Sequence, residues 1–524
     1  MKNKKESVLK GIIALLVSQI FIKFMGLAYK LYLTNKEGFG DRGNAIYVSG
    51  FQIYALLLTF SSTGIPNAIS KLVSERLALG DTKGAYKIFK IAILTFGLIG
   101  MIGTAFLFFM SKKIACNLIQ IPEAEYSIMA LSPSIFFVSI SAVLRGYFNG
   151  MQKFTITAKS QTIEQIFKTI VTILMVELTI KLGKNNTYIM AASANLATTI
   201  ATITSFIYIY LCYNLKRKEI GQEILGSVED NYISYKKIVK QILKVAMPIS
   251  LSSLISSFNK NIDSFTIVRF LKKIVTEEEA KIQYGILSGK IDSLCSLPYS
   301  FNIAFVTALV PNISKCVAKG DYIETRKKSE MFILISLLIA MPITAVMFKF
   351  SNEIIEILFP NALRGGMYLK VSSIAIIFML LSQTINGILQ GLGKVNIPPI
   401  SFGIGMILKL ICNIILIPNK KIGIYGAIIG NIICNITAFL IGFIYLKKYL
   451  NIKFRFNMFI LKPIICTSCM MIVCSILFNY LNGINLGKMA TIVSLFAGSL
   501  IYMVMVFLVK VFPINKYNCI SIFK

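Results

Sequence analysis

Residues 145–173 read RGYFNGMQKFTITAKSQTIEQIFKTIVTI, and residues 386–414 read NGILQGLGKVNIPPISFGIGMILKLICNI. Overlaid at an offset of 241 without a gap, ten of the twenty-nine pairs are identical. The isoleucine matches carry little weight in so isoleucine-rich a chain. Gly146/Gly387, Gly150/Gly391, Lys153/Lys394 and Lys168/Lys409 carry more. A second pair of blocks agrees: Ile69-Ser-Lys-Leu-Val with Gly80-Asp81, against Ile313-Ser-Lys-Cys-Val with Gly320-Asp321, at offsets of 244 and 240. A chain that repeats itself at about 240 residues is built from two related lobes.

What surrounds the repeat is apolar. The 524 residues are 56% hydrophobic, with mean hydropathy +0.72, above the roughly 45–50% of a soluble domain. Apolar runs of about 20 residues, the length a bilayer requires, recur near 9–33, 43–64, 88–110, 126–148, 160–182, 188–213, 243–268, 283–310, 331–350, 366–391, 398–418, 425–446, 462–481 and 489–512. The expected fold is therefore an all-α polytopic membrane protein of about fourteen transmembrane helices. Two pseudo-symmetric six-helix lobes are expected, with two extra helices after them. The first apolar run passes straight into further spans and does not resemble a cleaved signal peptide. The expected domains are an N-lobe at 1–213, a basic cytoplasmic linker at 214–242, a C-lobe at 243–446, and two added spans with a tail at 447–524.

The formal charge of +32 would suggest nucleic acid in a soluble protein. In a membrane protein it reads as topology, because cytoplasmic loops collect Lys and Arg. With the N-terminus inside, and helix-end residues counted with the loop they border, inside segments hold 33 Lys and Arg and outside segments 15. Both termini are then cytoplasmic, in the cell membrane, and no nucleic-acid partner is expected. The six-helix offset is even, so the two lobes share an orientation and are related by an axis along the membrane normal.

The chemistry available is narrow. Histidine is absent, which removes the commonest general base and metal ligand. Cys466 and Cys469 have metal-like spacing but lie in an apolar run without a second pair, and read as packing. No phosphate loop, dinucleotide turn or nucleophile elbow occurs. Neither an enzyme, a cofactor nor a metal site is expected.

Intramembrane charge is the functional signal, since each such group costs on the order of 3 kcal/mol at mid-membrane and faces a cavity or a partner. Span 1 carries Lys23 and Lys30, seven apart and on one face. Span 7 carries Lys260, Asp263 and, at its outer end, Arg269; span 8 carries Lys290 and Asp292. Two readings stand for these groups. In one, Lys23, Lys30, Lys260, Lys290 and Arg269 form a cationic cavity for an anionic group. In the other, Lys30 and Arg269 snorkel to the surface while Lys260 or Lys290 pairs locally with Asp263 or Asp292. Glu164 and Lys168, one turn apart on span 5, read as a self-neutralising pair. Lys409 keeps the lysine in the second lobe, where Gly405 replaces the glutamate. Arg145, beside Gly146-x-x-x-Gly150, reads as a positive-inside anchor at a close helix contact. Asn413, Asn431 and Asn435 read as interhelical hydrogen-bonding groups, with a small-cation site as the alternative.

Several segments resemble a known family: EGFG (37–40), FQIYALLLTFSSTGIPNAISKLVSE (51–75), LRGYFNGMQ (144–152), SQTIEQIFK (160–168), VAMPISL (245–251), LPYSFNIAFVTALVPNIS (297–314) and INGILQGLGKVNIP (385–398). They resemble the stage V sporulation protein B group, in the polysaccharide-transporter branch of the multidrug/oligosaccharidyl-lipid/polysaccharide exporter superfamily, neighbours of the lipid II flippases. The resemblance implies alternating access and a polyprenyl-pyrophosphate-linked saccharide as cargo, in cell-wall, spore-cortex or polysaccharide synthesis. It implies that Lys23, Lys30 and Lys290 line a central cavity and that Asp41-Arg42 stands at the outer entrance. The flippases of this type favour arginine where this chain has lysine. Coupling to Na+ or H+, contact with anionic membrane lipid and contact with cell-wall synthesis enzymes are further expectations. The rival readings are a drug/cation antiporter of the same superfamily and a non-transporting scaffold for cell-wall enzymes.

Overall fold

A computed structural model describes residues 8–59, 65–183, 186–225, 235–452 and 456–509. Residues 226–234 of the basic linker and the tail beyond 509 lie outside the described residues. The helices are, in chain order, α1 (Val8–Asn35), α2 (Gly40–Thr59), α3 (Ile65–Ala78), α4 (Thr82–Lys113), α5 (Ala124–Gly150) and α6 (Phe154–Lys181). Then come α7 (Thr187–Leu225), α8 (Tyr235–Leu271), α9 (Glu277–Tyr284), α10 (Asp292–Ala318), α11 (Tyr322–Lys349) and α12 (Ser351–Leu358). The last six are α13 (Gly366–Ser372), α14 (Ile374–Gly391), α15 (Ile397–Leu416), α16 (Tyr425–Leu450), α17 (Lys462–Gly483) and α18 (Lys488–Leu508). Segments Ile114–Ile119, Gly285–Ile291 and Asn457–Leu461 are π-helical. The described residues hold no strand.

Among the described residues, nine helices are long and apolar enough to cross a membrane. Five further long helices, α1, α2, α6, α8 and α10, carry most of the charges singled out above: Lys23 and Lys30, Asp41 and Arg42, Glu164 and Lys168, Lys260 and Asp263, and Asp292. Together they match the expected spans in number and place. The chain is an all-α polytopic membrane protein.

The helices gather into two compact units, Met1–Lys290 with Asn413–Ile424, and Ile291–Cys412 with Tyr425–Lys524. In the first, Ile69, Val73, Phe89, Phe96, Tyr147 and Phe148 form the heart of an apolar core. In the second, Leu309, Ile313, Phe332, Ile385, Ile388 and Leu446 do the same, and Cys466 is buried with them. Within that unit α17 and α18 pack on each other, where a Cβ at Gly498 would strike the Cys474 sulfur. They are tied to α11 by the Tyr502 hydroxyl, which donates to the Leu338 carbonyl at 2.7 Å.

The repeat is visible in atomic contacts. A Cβ on Gly146 would lie 2.8 Å from the Pro66 carbonyl oxygen and 3.0 Å from Ile69; one on Gly150 would lie 2.7 Å from Val73 and 3.0 Å from the Ser70 carbonyl oxygen. In the second unit, a Cβ on Gly387 would meet Val306 at 2.5 Å and Leu309 at 3.5 Å, and one on Gly391 would meet Ile313 at 2.8 Å and the Val310 carbonyl oxygen at 3.1 Å. Each glycine pair therefore lets α5 or α14 close on α3 or on the C-terminal half of α10, as small residues four apart allow. The partners correspond at 240 residues throughout, so Val73 answers Ile313. The 244-residue alignment of Ile69 with Ile313 is one helical turn out of register. A shift of four residues returns nearly to the same helix face, so the apolar pattern tolerates the slip. The turns repeat as well. Asp81 and Asp321 cap α4 and α11 by accepting from the amides of Gly84 and Glu324, each after a left-handed glycine, Gly80 at φ 77° and Gly320 at φ 71°.

The segment after residue 64, which falls between the second and third expected spans, is helix α3. Its polar residues Lys71, Ser74 and Glu75 lie on one side. Ile65, Ala68, Ile69 and Val73 are buried on the other, against the glycines of α5.

Candidate functional site

Lys23 and Lys260 are accessible on α1 and α8, and Lys30 is half-buried. Lys23 lies within electrostatic reach of Lys260, Lys30 and Tyr29. Tyr29 in turn interacts with Lys30 and Lys168. Three lysines, Lys23 and Lys30 of α1 and Lys168 of α6, thus gather around one buried tyrosine, whose hydroxyl lies 3.2 Å from that of Tyr47 on α2, and Lys260 of α8 joins them through Lys23. Lys23 and Lys30 are two turns apart on α1, about 10 Å along its axis.

Lys168 was expected to pair with Glu164. It does not. Its side chain is buried, with the ammonium 4.2 Å from the Phe51 ring centroid and 5.3 Å from that of Tyr29. Glu164 instead accepts from Arg145 at 2.7 Å. Arg145 also donates to Ser160 at 3.0 Å and to Ser205 at 2.8 Å. Arg145 is therefore a buried ion-pair partner joining α5, α6 and α7, not a surface anchor. A guanidinium offers several donors in a fixed fork, so it outcompetes Lys168 for the carboxylate.

Lys290 is fully buried and forms an ion pair with Asp41 at 2.7 Å. Its surroundings are built by close backbone approach. A Cβ at Gly285 would lie 1.9 Å from the Asp41 carbonyl oxygen, and one at Gly289 would lie 2.7 Å from the Asn44 side chain. Gly285-x-x-x-Gly289 thus seats the start of α2 directly on the π-helical segment. Further along α2, Gln52 accepts from Ser264 on α8 and from the Tyr284 hydroxyl on α9. Thr59 and Ser257 share a 2.7 Å hydrogen bond. Sequence reasoning missed this seam, although the Gly-x-x-x-Gly spacing was there to be read.

Asp263 is buried and accepts from the Asn413 side-chain amide at 3.2 Å; the same amide donates to Thr266 at 2.8 Å. Asn413 is thus an interhelical hydrogen-bonding group. Asn435 donates within its own helix to the Asn431 carbonyl. Arg269 is exposed and donates to the Asn117 carbonyl at 2.7 Å, so it closes the π-helical turn after α4. Asp292 opens α10, partly buried. Lys409 is fully buried and is engaged by a neighbour. At Gly405 a Cβ would lie 2.6 Å from the Cys434 carbonyl oxygen, so the α16 backbone fills the space that Glu164 occupies in the first repeat.

A charge network surrounds the N-terminal end of α2. Arg42 pairs with Glu123 at 3.6 Å and with Glu278 at 3.0 Å, and Lys281 pairs with Glu123 at 2.8 Å and Glu277 at 3.1 Å. Burial pushes the Glu123 carboxyl up. The Lys281 hydrogen bond outweighs it, with a smaller contribution from Arg42, and holds Glu123 below the usual carboxylate range. Burial likewise opposes the Lys281 charge, and the hydrogen bonds to Glu123 and Glu277 carry it above the ordinary lysine value. Glu123 therefore contributes stability that is complete above about pH 4.3, its unfolded value, and is lost as pH falls through the depressed native value. Lys281 contributes stability that is complete below about pH 10.4 and is lost as pH rises through the raised native value. Glu123→Gln is expected to cost about 1–2 kcal/mol at neutral pH, read as a lower apparent Tm that converges with wild type in acid. Identical melting at pH 7 would contradict the network.

These features define a polytopic α-helical membrane protein with buried and accessible lysines among its helices. Residues 8–317, more than half the chain, match the polysaccharide biosynthesis protein family, and residues 291–415 match MatE. The chain belongs to the polysaccharide biosynthesis protein family. Stage V sporulation protein B of Bacillus subtilis (strain 168) is 24% identical over 467 residues, 89% of this chain and 88% of that protein. Lipid II flippase MurJ of the same organism is 25% identical over 465 residues, 85% and 84% respectively. Among solved structures, lipid II flippase MurJ in an inward closed conformation superposes with TM-score 0.72 at 19% identity, over 95% of this chain and 99% of that one.

Proposed function

We propose that this protein is a flippase that moves a polyprenyl-diphosphate-linked saccharide across the cytoplasmic membrane by alternating access. The observation that carries the reading is the cluster of Lys23, Lys30 and Lys260, two of them accessible, on helices whose place in the chain matches the first and seventh expected spans. Like charges so placed repel, and each is costly in a medium of low dielectric. An anionic headgroup entering among them relieves both terms, while a polyprenyl chain remains in lipid. A cationic drug would meet repulsion, so the cluster opposes the antiporter reading. The similarity to stage V sporulation protein B and to lipid II flippase MurJ supports the same class of cargo.

The Lys and Arg distribution supports an N-terminus in the cytoplasm. The start of α2 then lies at the outer surface, and the Asp41–Lys290 pair on its glycine seam serves as an outer latch. Opening outward would break that pair. The driving force would be the membrane potential or an ion gradient, Na+ or H+.

The reading is tested by binding. In nanodiscs, undecaprenyl diphosphate is expected to bind the wild-type protein and to be displaced by its saccharide-linked form. A lipophilic cation should not compete. Binding of the cation, with no binding of the diphosphate, would favour the antiporter.

A further inference from the structure

Lys168 has no carboxylate partner among the described residues. The acid one turn before it is committed to Arg145. What holds the ammonium is the faces of Phe51 and Tyr29 and the neutral Tyr29 hydroxyl within hydrogen-bonding reach, and burial leaves it little water. A cation over an aromatic face gains about 1–2 kcal/mol, well short of what removing an ammonium from water costs. The site therefore stores an uncompensated positive charge. That charge is not remote from the accessible lysines. Tyr29 interacts with Lys168 and with Lys30, and Lys23 interacts with Lys30, Lys260 and Tyr29.

We infer that Lys168 is a specificity-determining residue that makes the anion site discriminate a diphosphate from a monophosphate carrier. A single phosphate is satisfied by the lysines of α1 and α8. A second phosphoryl group brings further negative charge into the reach of Lys168, across Tyr29, where the low dielectric lengthens the range of the attraction. The same sum disfavours monophosphate and zwitterionic lipid headgroups, which a flippase in a bilayer meets in large excess. This inference rests on the anion-binding reading of Lys23, Lys30 and Lys260 and adds the charge state of its ligand.

The test compares undecaprenyl diphosphate with undecaprenyl phosphate, each titrated into nanodisc-embedded protein. Wild type is expected to prefer the diphosphate by about 10-fold, the equivalent of one charge-assisted contact. Lys168→Gln is expected to bring the ratio close to unity, largely by weakening the diphosphate. An unchanged ratio in Lys168→Gln overturns the inference. So does a wild-type protein that binds both carriers equally, a result that needs no variant and decides the matter if Lys168→Gln does not fold. Lys23→Gln separates the two proposals, because it should weaken both carriers. If it weakens neither, the anion site itself is wrong. If it weakens both while Lys168→Gln keeps the ratio, only the role of Lys168 falls.

Discussion

Lys23→Glu is expected to abolish translocation while leaving membrane insertion and thermal stability at wild-type levels. Two unit charges about 6 Å apart interact by roughly 3 kcal/mol at an effective dielectric of 20. Charge reversal replaces that attraction to an entering phosphate by a repulsion of similar size. The change corresponds to at least about a 100-fold loss of transport. Stability is spared because the side chain is accessible and, among the described residues, makes no ion pair that the reversal would break. The glutamate would also neutralise part of the mutual repulsion with Lys30 and Lys260. The variant and the wild type are compared at matched reconstitution, by initial rate and by apparent Tm. A fully active Lys23→Glu protein would remove the cationic cluster from the mechanism.

Lys290→Met is expected to act on the fold rather than on the ligand. Lys290 and Asp41 are a buried pair at 2.7 Å, on a seam where α2 touches Gly285 and Gly289 without room for a Cβ. Removing one partner of such a pair leaves an uncompensated charge and costs about 3–5 kcal/mol. Methionine fills the same volume, so the loss is electrostatic. The second change Asp41→Asn should therefore recover most of it, because no orphaned carboxylate remains. The measurement is apparent Tm for wild type, Lys290→Met and the double variant. An equal loss in the single and double variants would assign Lys290 to packing alone. The double variant also loses the proposed outer latch, and a translocation cycle limited by outward opening should run faster in it.

The repeat was legible because it rests on residues with few substitutes. Gly146, Gly150, Gly387 and Gly391 stand where a neighbouring helix passes within about van der Waals contact. Asp81 and Asp321 stand where a helix begins after a left-handed glycine. These demands are local, and a single chain states them twice. The partners of the charged residues were not legible, because a sequence lists neighbours along a helix and not across helices. Glu164 and Lys168 have the spacing of an intrahelical pair, yet Arg145 from another helix takes the carboxylate. Lys290 finds Asp41, far away in sequence. Helix α3 was hidden for a different reason. Its exposed side carries the charges of a cytoplasmic loop, and its apolar side has only five buried residues, Ile65, Pro66, Ala68, Ile69 and Val73. The lysines of span 1 were visible as intramembrane charges. Their grouping with Lys168 depends on Tyr29 and Phe51, which composition alone does not mark.

The most direct test of the account is leaflet exchange of a fluorescent undecaprenyl-diphosphate-linked saccharide in liposomes containing the purified protein. An impermeant quencher reports the exposed leaflet, and an imposed potential and Na+ gradient supply driving force. The account predicts protein-dependent exchange that disappears in Lys23→Glu. Well-folded wild-type protein that produces no exchange under any imposed gradient would contradict it.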